Sequence, residues 1–175
     1  IGAGHAGLTL AREIRALDKT VPITIVSQDP IQAYYKPNLS KALSMNKSAD
    51  QLIMKKLGAL KNDLHAELFE NTSVLKITHE KKSIICQSKG SDNKKLETFE
   101  LPYENLIIAT GASPIELPID GAFGNVISIN TLQDYALFRK KIKYKKQILI
   151  IGAGFVGCEF ASDLTSNGYQ VDVVD

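Results

Sequence analysis

Apolar positions along this chain recur with two periods, one helical and one alternating, and the switches between them lay out the elements. Leu8, Leu10, Ala11, Ile14 and Leu17 fall at helical spacing and predict a helix to about Leu17, with Asp18-Lys19-Thr20 as the turn. Residues 21–26 then read as a short apolar strand, and residues 49–64 as a helix. Three strand candidates follow at 73–78, 83–87 and 97–101. Turn-rich Ser88-Lys89-Gly90-Ser91-Asp92-Asn93 separates the last two, which predicts a β-meander inserted in an α/β unit. Leu106-Ile107-Ile108-Ala109 reads as a buried strand. It runs into Thr110-Gly111-Ala112, small residues whose backbone can lie close to a ligand. Pro114 and Pro118 mark a linker, and the domains are expected at 1–114 and 115–175. Beyond it, Thr131 can cap a helix carrying Leu132, Tyr135, Ala136 and Phe138. A strand at 147–151, a helix at 157–167 ended by Gly168, and a strand at 170–174 complete the pattern.

Two strand-to-helix junctions share one glycine pattern. Ile1-Gly2-Ala3-Gly4-His5-Ala6-Gly7 returns 150 positions downstream as Ile151-Gly152-Ala153-Gly154-Phe155-Val156-Gly157. In such a loop the first Gly permits the tight turn, the second lets backbone approach a pyrophosphate, and the third lets helix and strand pack closely. The amides opening the helix lack intrahelical partners, and the helix dipole adds partial positive charge there. One copy is weak evidence, whereas two copies in matching contexts are strong. The fold class expected is α/β, with two Rossmann-like dinucleotide-binding units, the first holding the meander and the second partial. The first loop lacks the strand that should feed it, and nothing after Asp175 covers the last strand. A fragment cut at both ends is therefore expected.

In this fold the second strand of a unit usually ends in an acid that binds ribose hydroxyls. The first unit has Ser27-Gln28 there, a hydroxyl and an amide. The second has Asp175, 23 positions beyond Gly152 and near the spacing of about 20 expected. An acid there repels a 2′-phosphate, which predicts NADH over NADPH. Ala33-Tyr34-Tyr35-Lys36-Pro37-Asn38-Leu39-Ser40-Lys41 reads as a loop, carrying either ordinary surface lysines or a cation brought over a phosphate or flavin.

Composition removes several classes. A net charge of +2 with 23% charged residues gives no reason to invoke nucleic acid. The longest apolar stretch, 148–158, is broken by glycines and far short of the roughly 20 residues a membrane span needs. Cys86 and Cys158 form no redox-spaced pair and read as buried small hydrophobes in a reducing compartment, which suggests the cytoplasm. His5, His65 and His79 show no ligand spacing, so no metal site is expected. The basic run from Arg139 to Lys146 reads as a solvated face; the alternative is a docking surface for an acidic protein partner.

Two nucleotide sites separated by a meander resemble the two-dinucleotide-domain flavoproteins, the pyridine-nucleotide oxidoreductases. The resemblance spans the whole chain through residues 1–7, Lys36-Pro37-x-Leu39-Ser40-Lys41, Ala109-Thr110-Gly111, and 152–157 with Glu159. The runs Tyr35-Lys36-Pro37-x-Leu39-Ser40, Ile129-Asn130-x-Leu132-x-Asp134-Tyr135 and Gly157-Cys158-Glu159-Phe160-Ala161-x-Asp163-Leu164 are similar to the branch that reduces rubredoxin in bacterial alkane-hydroxylating systems.

The resemblance implies FAD in the first unit and NADH in the second. It places the FAD pyrophosphate at Ala3, Gly4, His5 and Ala6, its ribose at Ser27 and Gln28, and its adenine against the backbone of Val74. Ala109, Thr110 and Gly111 would also line the FAD site, and Lys36 would contact the cofactor. Gly152, Gly154, Gly157 and Asp175 would hold NADH. Glu159 matches the acid near the meeting point of flavin and nicotinamide, and pairs with a lysine in related ferredoxin reductases. Both Lys36 and Lys41 are available for it and either could make the pair; the catalytic residues expected are Glu159 and Lys41. Disulfide reductases of this fold carry a cysteine pair beside the flavin; its absence here implies that electrons leave the flavin directly, to rubredoxin as an external one-electron acceptor. The alternatives are a ferredoxin reductase or NADH oxidase of the same fold, and a non-catalytic dinucleotide-sensing module.

Overall fold

The computed structural model describes residues 1–89, 96–115, 117–121 and 123–175. The chain divides into two compact units, one of residues 1–34 and 54–112, the other of residues 35–53 and 113–175. The sequence placed 35–53 with the first unit; in the structure it groups with the second, because its contacts are to a helix far downstream.

The first unit opens on Ile1, whose nitrogen donates to Ile107 O and whose carbonyl accepts from Ala109 N, each at 2.7 Å. Gly2 N then donates to Val26 O at 2.8 Å. Helix α1 (His5–Leu17) follows, then strands β1 (Thr24–Val26) and β2 (Ala33–Tyr34). β3 (Ile53–Lys55) leads into helix α2 (Leu57–Leu64) and strand β4 (Glu67–Phe69), which pairs parallel to β1 with Ile25 opposite Leu68. Between these layers Leu8, Ala11, Ile25, Ile31, Leu60 and Leu64 form the core. The meander is β5 (Thr72–Thr78), β6 (Ser83–Lys89) and β7 (Leu96–Pro102), antiparallel throughout. Val26, Ile84 and Cys86 join it to the α/β layer, with Val74 and Phe99 packed against them.

Four local expectations are corrected. The helix expected at 49–64 is instead a 3₁₀ turn (Asp50–Leu52), β3 and α2. Ser48 N donates to Gln51 Oε1 at 2.8 Å, which starts the short turn, and β-branched Ile53 leads into a strand that pairs with β2. The expected apolar face of α1 is shifted as well. Leu17 is 89% exposed and Leu10 is also exposed, while Leu8, Ala11 and Arg15 point inward. Residues 106–109 carry no strand assignment, and Ile107 and Ile108 are exposed. Lastly, Cys86 is fully buried, and burial pushes its thiol upward in pKa, but Cys158 is exposed with its Sγ on Ala153 O. Of the turn expected at 88–93, Ser88 and Lys89 extend β6 and the rest lies outside the described residues.

The second unit holds the 3₁₀ turn Lys36–Lys41, helix α3 (Leu132–Ile142), strand β8 (Gln147–Ile151), helix α4 (Phe155–Ser166) and strand β9 (Gln170–Val174). β8 and β9 pair parallel, Ile148 opposite Val171, so strand, helix and strand make one βαβ unit. Gly168 at φ +85 ends α4 as a left-handed cap, with Tyr169 N reaching back to Leu164 O. Tyr135, Phe138 and Phe160 stack in sequence at 6.2 and 5.9 Å, giving this unit an aromatic core.

Candidate functional site

The two glycine loops are built alike, and each glycine can be assigned by what a Cβ would strike. Gly2 at φ +104 and Gly152 at φ +107 occupy backbone that side chains rarely adopt. A Cβ on Gly2 would also stand 2.2 Å from Ala109 O. On Gly7 it would stand 2.1 Å from Gly2 O, and on Gly157 2.0 Å from Gly152 O. The fold itself therefore requires the first and third glycines. The middle ones differ. Gly4 (φ −74) and Gly154 (φ −67) have ordinary backbone, and a Cβ on either meets nothing within 4 Å. Among the described residues nothing requires glycine there, and open space above bare backbone is what a pyrophosphate needs.

The helix ends agree. No side chain caps α1 or α4. By contrast α3 carries a full capping box, Asp134 N donating to Thr131 Oγ1 at 3.2 Å and Thr131 N to Asp134 Oδ2 at 2.8 Å. Helix α2 is uncapped as well, so what sets α1 and α4 apart is that their uncapped ends directly follow a glycine loop, where an anion can approach the opening amides.

In the first unit the structure brings together most of the residues expected at the FAD site. Ala3, Gly4, His5 and Ala6 form the loop and the first turn of α1. Ala109 lies under Gly2, and Thr110 and Gly111 (φ +73) are exposed just beyond it. Ser27 follows Val26 at the end of β1 and is buried, its Oγ accepting from Asp29 N at 3.3 Å, whereas Gln28 is exposed. Val74 packs its side chain inward at a bulge in β5.

In the second unit Gly152 N donates to Val174 O at 2.7 Å, and the next amide, Ala153 N, to Asp175 Oδ1 at 2.9 Å. The loop thereby orients the acid that ends β9. Lys41 Nζ lies 3.2 Å from Glu159 Oε1, and Ser40 Oγ donates to Glu159 Oε2 at 2.6 Å. Lys36 is directed elsewhere, donating to Asn130 Oδ1 at 2.5 Å. Of the two lysines open to Glu159 in the sequence, Lys41 makes the pair. Ser40, Asn130 and Asp163 were missed as site residues. The available signal was Asp163, an acid four residues beyond Glu159 and so on the same helical face.

The Ser40 hydroxyl has one proton and two acceptors in reach, Glu159 and Pro37 O at 3.0 Å; the shorter, charge-assisted bond goes to the carboxylate. That bond first, and the Lys41 ammonium second, hold the Glu159 carboxyl below its usual range. A depressed folded-state pKa contributes stability above the unfolded-state value, and loses it as pH falls through the folded one. The pair is open to solvent, which screens it, so its work is on local charge rather than on folding. Replacing Ser40 by Ala, or Lys41 by Met, is expected to move the Glu159 titration upward, read by carbon NMR of its side-chain carboxyl. An unmoved titration in Ser40→Ala would remove Ser40 as the leading cause.

Residues 1–175 match the family model described as pyridine nucleotide-disulphide oxidoreductase, and the chain belongs to that family. It is 37% identical over its whole length to the rubredoxin-NAD(+) reductase of Acinetobacter baylyi, covering 44% of that protein. To the nitric oxide reductase FlRd-NAD(+) reductase of Klebsiella pneumoniae it is 32% identical, again over its whole length and 44% of the relative. Among solved structures, the covalent putidaredoxin reductase–putidaredoxin complex superposes with a TM-score of 0.83 at 28% identity, over 99% of this chain and 40% of the other. The chain thus spans under half the length of the curated relatives it matches. Among the described residues no helix is long and apolar enough to cross a membrane.

Proposed function

We propose that this chain is the nucleotide-binding part of an NADH-dependent flavoprotein reductase whose acceptor is rubredoxin. The observation that carries it is the open space at Gly4 and Gly154, in two loops whose other glycines the fold explains. The 37% identity to a rubredoxin-NAD(+) reductase supports the choice of acceptor. The reading places the protein in the cytoplasm and in an alkane-hydroxylating electron chain. FAD, when bound, accepts two electrons together from NADH and releases them one at a time.

The chain's own residues bind and orient. Amides at Ala3, Gly4, His5 and Ala6 receive the FAD pyrophosphate, Ser27 and Gln28 its ribose, and Val74 its adenine through the backbone. Ala109, Thr110 and Gly111 line the same site. Gly152, Gly154 and Gly157 shape the NADH loop, and Asp175 takes the ribose hydroxyls. A carboxylate accepts about four hydrogen bonds, so the one from Ala153 leaves room for them. Lys41 and Glu159 set the local charge, and no side chain acts as a nucleophile. Lys36, whose Nζ donates to Asn130 Oδ1, would contact the cofactor.

The test is NADH-driven reduction of rubredoxin by the full-length protein, beside a ferredoxin and oxygen. A rubredoxin rate far above the other two is expected, with kcat/KM for NADH well above that for NADPH. A faster ferredoxin or oxygen rate would reassign the acceptor. A flavin spectrum that NADH fails to bleach would favour a sensing module. Comparable kcat/KM for NADPH would remove the role given to Asp175.

A further inference from the structure

Asp163 stands one turn beyond Glu159 on α4 and is only 5% exposed. Its Oδ2 accepts from Leu43 N at 3.0 Å and its Oδ1 from Ser44 N at 2.8 Å. Among the described residues the ion pairs are Lys41–Glu159 and Lys55–Asp63, so main-chain amides, not a cation, hold this buried acid. Asn167, a turn further on, donates to Asp163 O at 2.7 Å and to Ser44 Oγ at 3.3 Å. The segment gripped in this way lies directly after the turn that carries Ser40 and Lys41, and Met45 N closes back onto Lys41 O at 3.1 Å.

Two acids a turn apart on one helix thus hold one short segment at two points. Glu159 takes the side chains of residues 40 and 41, and Asp163 takes the backbone of residues 43 and 44. Burying a carboxylate is costly unless charge-assisted hydrogen bonds compensate it, and such bonds are directional. An apolar residue could fill the space beside α4 without fixing the position of Leu43 and Ser44. We propose that Asp163 is a positioning residue, which pins the main chain at Leu43 and Ser44 and thereby holds Ser40 and Lys41 on Glu159.

Asp163→Asn separates positioning from plain electrostatics by sign. Asp163 is a like charge one turn from Glu159, so losing its charge alone would make Glu159 easier to ionise and lower its pKa further. Losing the clamp frees Ser40 and Lys41 and raises it. The measurement is the Glu159 titration by carbon NMR in the full-length protein, with amide hydrogen exchange at Leu43 and Ser44. The expected result is an upward move of the titration, with exchange at those two amides faster by roughly tenfold. Added to Ser40→Ala, Asp163→Asn is expected to give less than the sum of the two single effects, since both act through one bond. A downward or absent move in a folded Asp163→Asn protein would overturn the proposal. If that variant fails to fold, Asp163→Glu keeps the charge and displaces the segment by a methylene; it must also raise the Glu159 titration, and an unmoved one would overturn the proposal equally. The functional consequence rests on the reading that Glu159 serves the NADH reaction, but the titration does not. A raised titration with an unchanged pH profile of NADH turnover would support the clamp and count against that reading alone.

Discussion

Gly4→Ala and Gly154→Ala proteins are expected to unfold at or slightly above the wild-type temperature and still to lose most of their affinity for dinucleotide. Both positions have backbone that alanine adopts freely, with open space where the new methyl would stand. Replacing such a glycine reduces the freedom of the unfolded chain and stabilises by about 0.4–1 kcal/mol. A methyl in the path of a pyrophosphate overpacks that contact at a cost of about 1–3 kcal/mol, or roughly fivefold to 150-fold in affinity. FAD retention in Gly4→Ala and NADH affinity in Gly154→Ala are the measurements, each with a melting curve. Gly7→Ala and Gly157→Ala provide the contrast. Their methyls would stand about 2 Å from a backbone carbonyl, so they are expected to lower stability itself. If Gly4→Ala kept FAD at wild-type affinity, the open space would be empty for some other reason and the binding assignment would fall.

The second large effect is expected at Arg15. Its guanidinium is buried and donates four hydrogen bonds: Nε to Leu64 O at 2.7 Å, Nη1 to Asp18 O at 3.0 Å, and Nη2 to Val21 O at 2.7 Å and His65 O at 3.3 Å. These acceptors close the ends of α1 and α2 and the approach to β1. One fork thus ties three elements, each with a carbonyl that has run out of helical or strand partners. Arg15→Met keeps the apolar stem but leaves those carbonyls unpaired, at a cost of about 3 kcal/mol to the first unit. Arg15→Lys is expected to recover only part of that, since an ammonium cannot reproduce the planar fork. Urea unfolding followed by circular dichroism measures both. An Arg15→Met protein within about 0.5 kcal/mol of wild type, the range of ordinary surface changes, would show that the carbonyls find other partners.

Arg15 also shows where a sequence pattern misleads. Helical periodicity gave the apolar face of α1 to Leu10 and Leu17, yet both lie outside and Arg15 lies inside. Residue hydrophobicity cannot register that four carbonyls, two of them 49 and 50 positions away, converge on one cation. Residues 49–64 failed for a related reason: their local preference suits a helix, but pairing of β3 with β2 overrides it. Cys158 was misplaced because the solvated side of α4 follows from its packing, not from the residue type.

The features that the sequence determined by itself are those set within a few residues. The glycine turns were legible because backbone sterics forbid a side chain at Gly2 and Gly152, and the loop closes on itself at Gly7 and Gly157. The meander was legible from alternation and the βαβ unit from strand–helix–strand spacing. Asp175 was legible because its place at the end of β9 is a matter of counting. Only the tertiary structure decided that Lys41 rather than Lys36 meets Glu159, that Ser40 and Asp163 join them, and that residues 35–53 group with α4. Those contacts link residues more than a hundred positions apart. Which of two nearby lysines reaches a given carboxylate is set by where the backbone carries each one, and that depends on the folded arrangement of the whole unit.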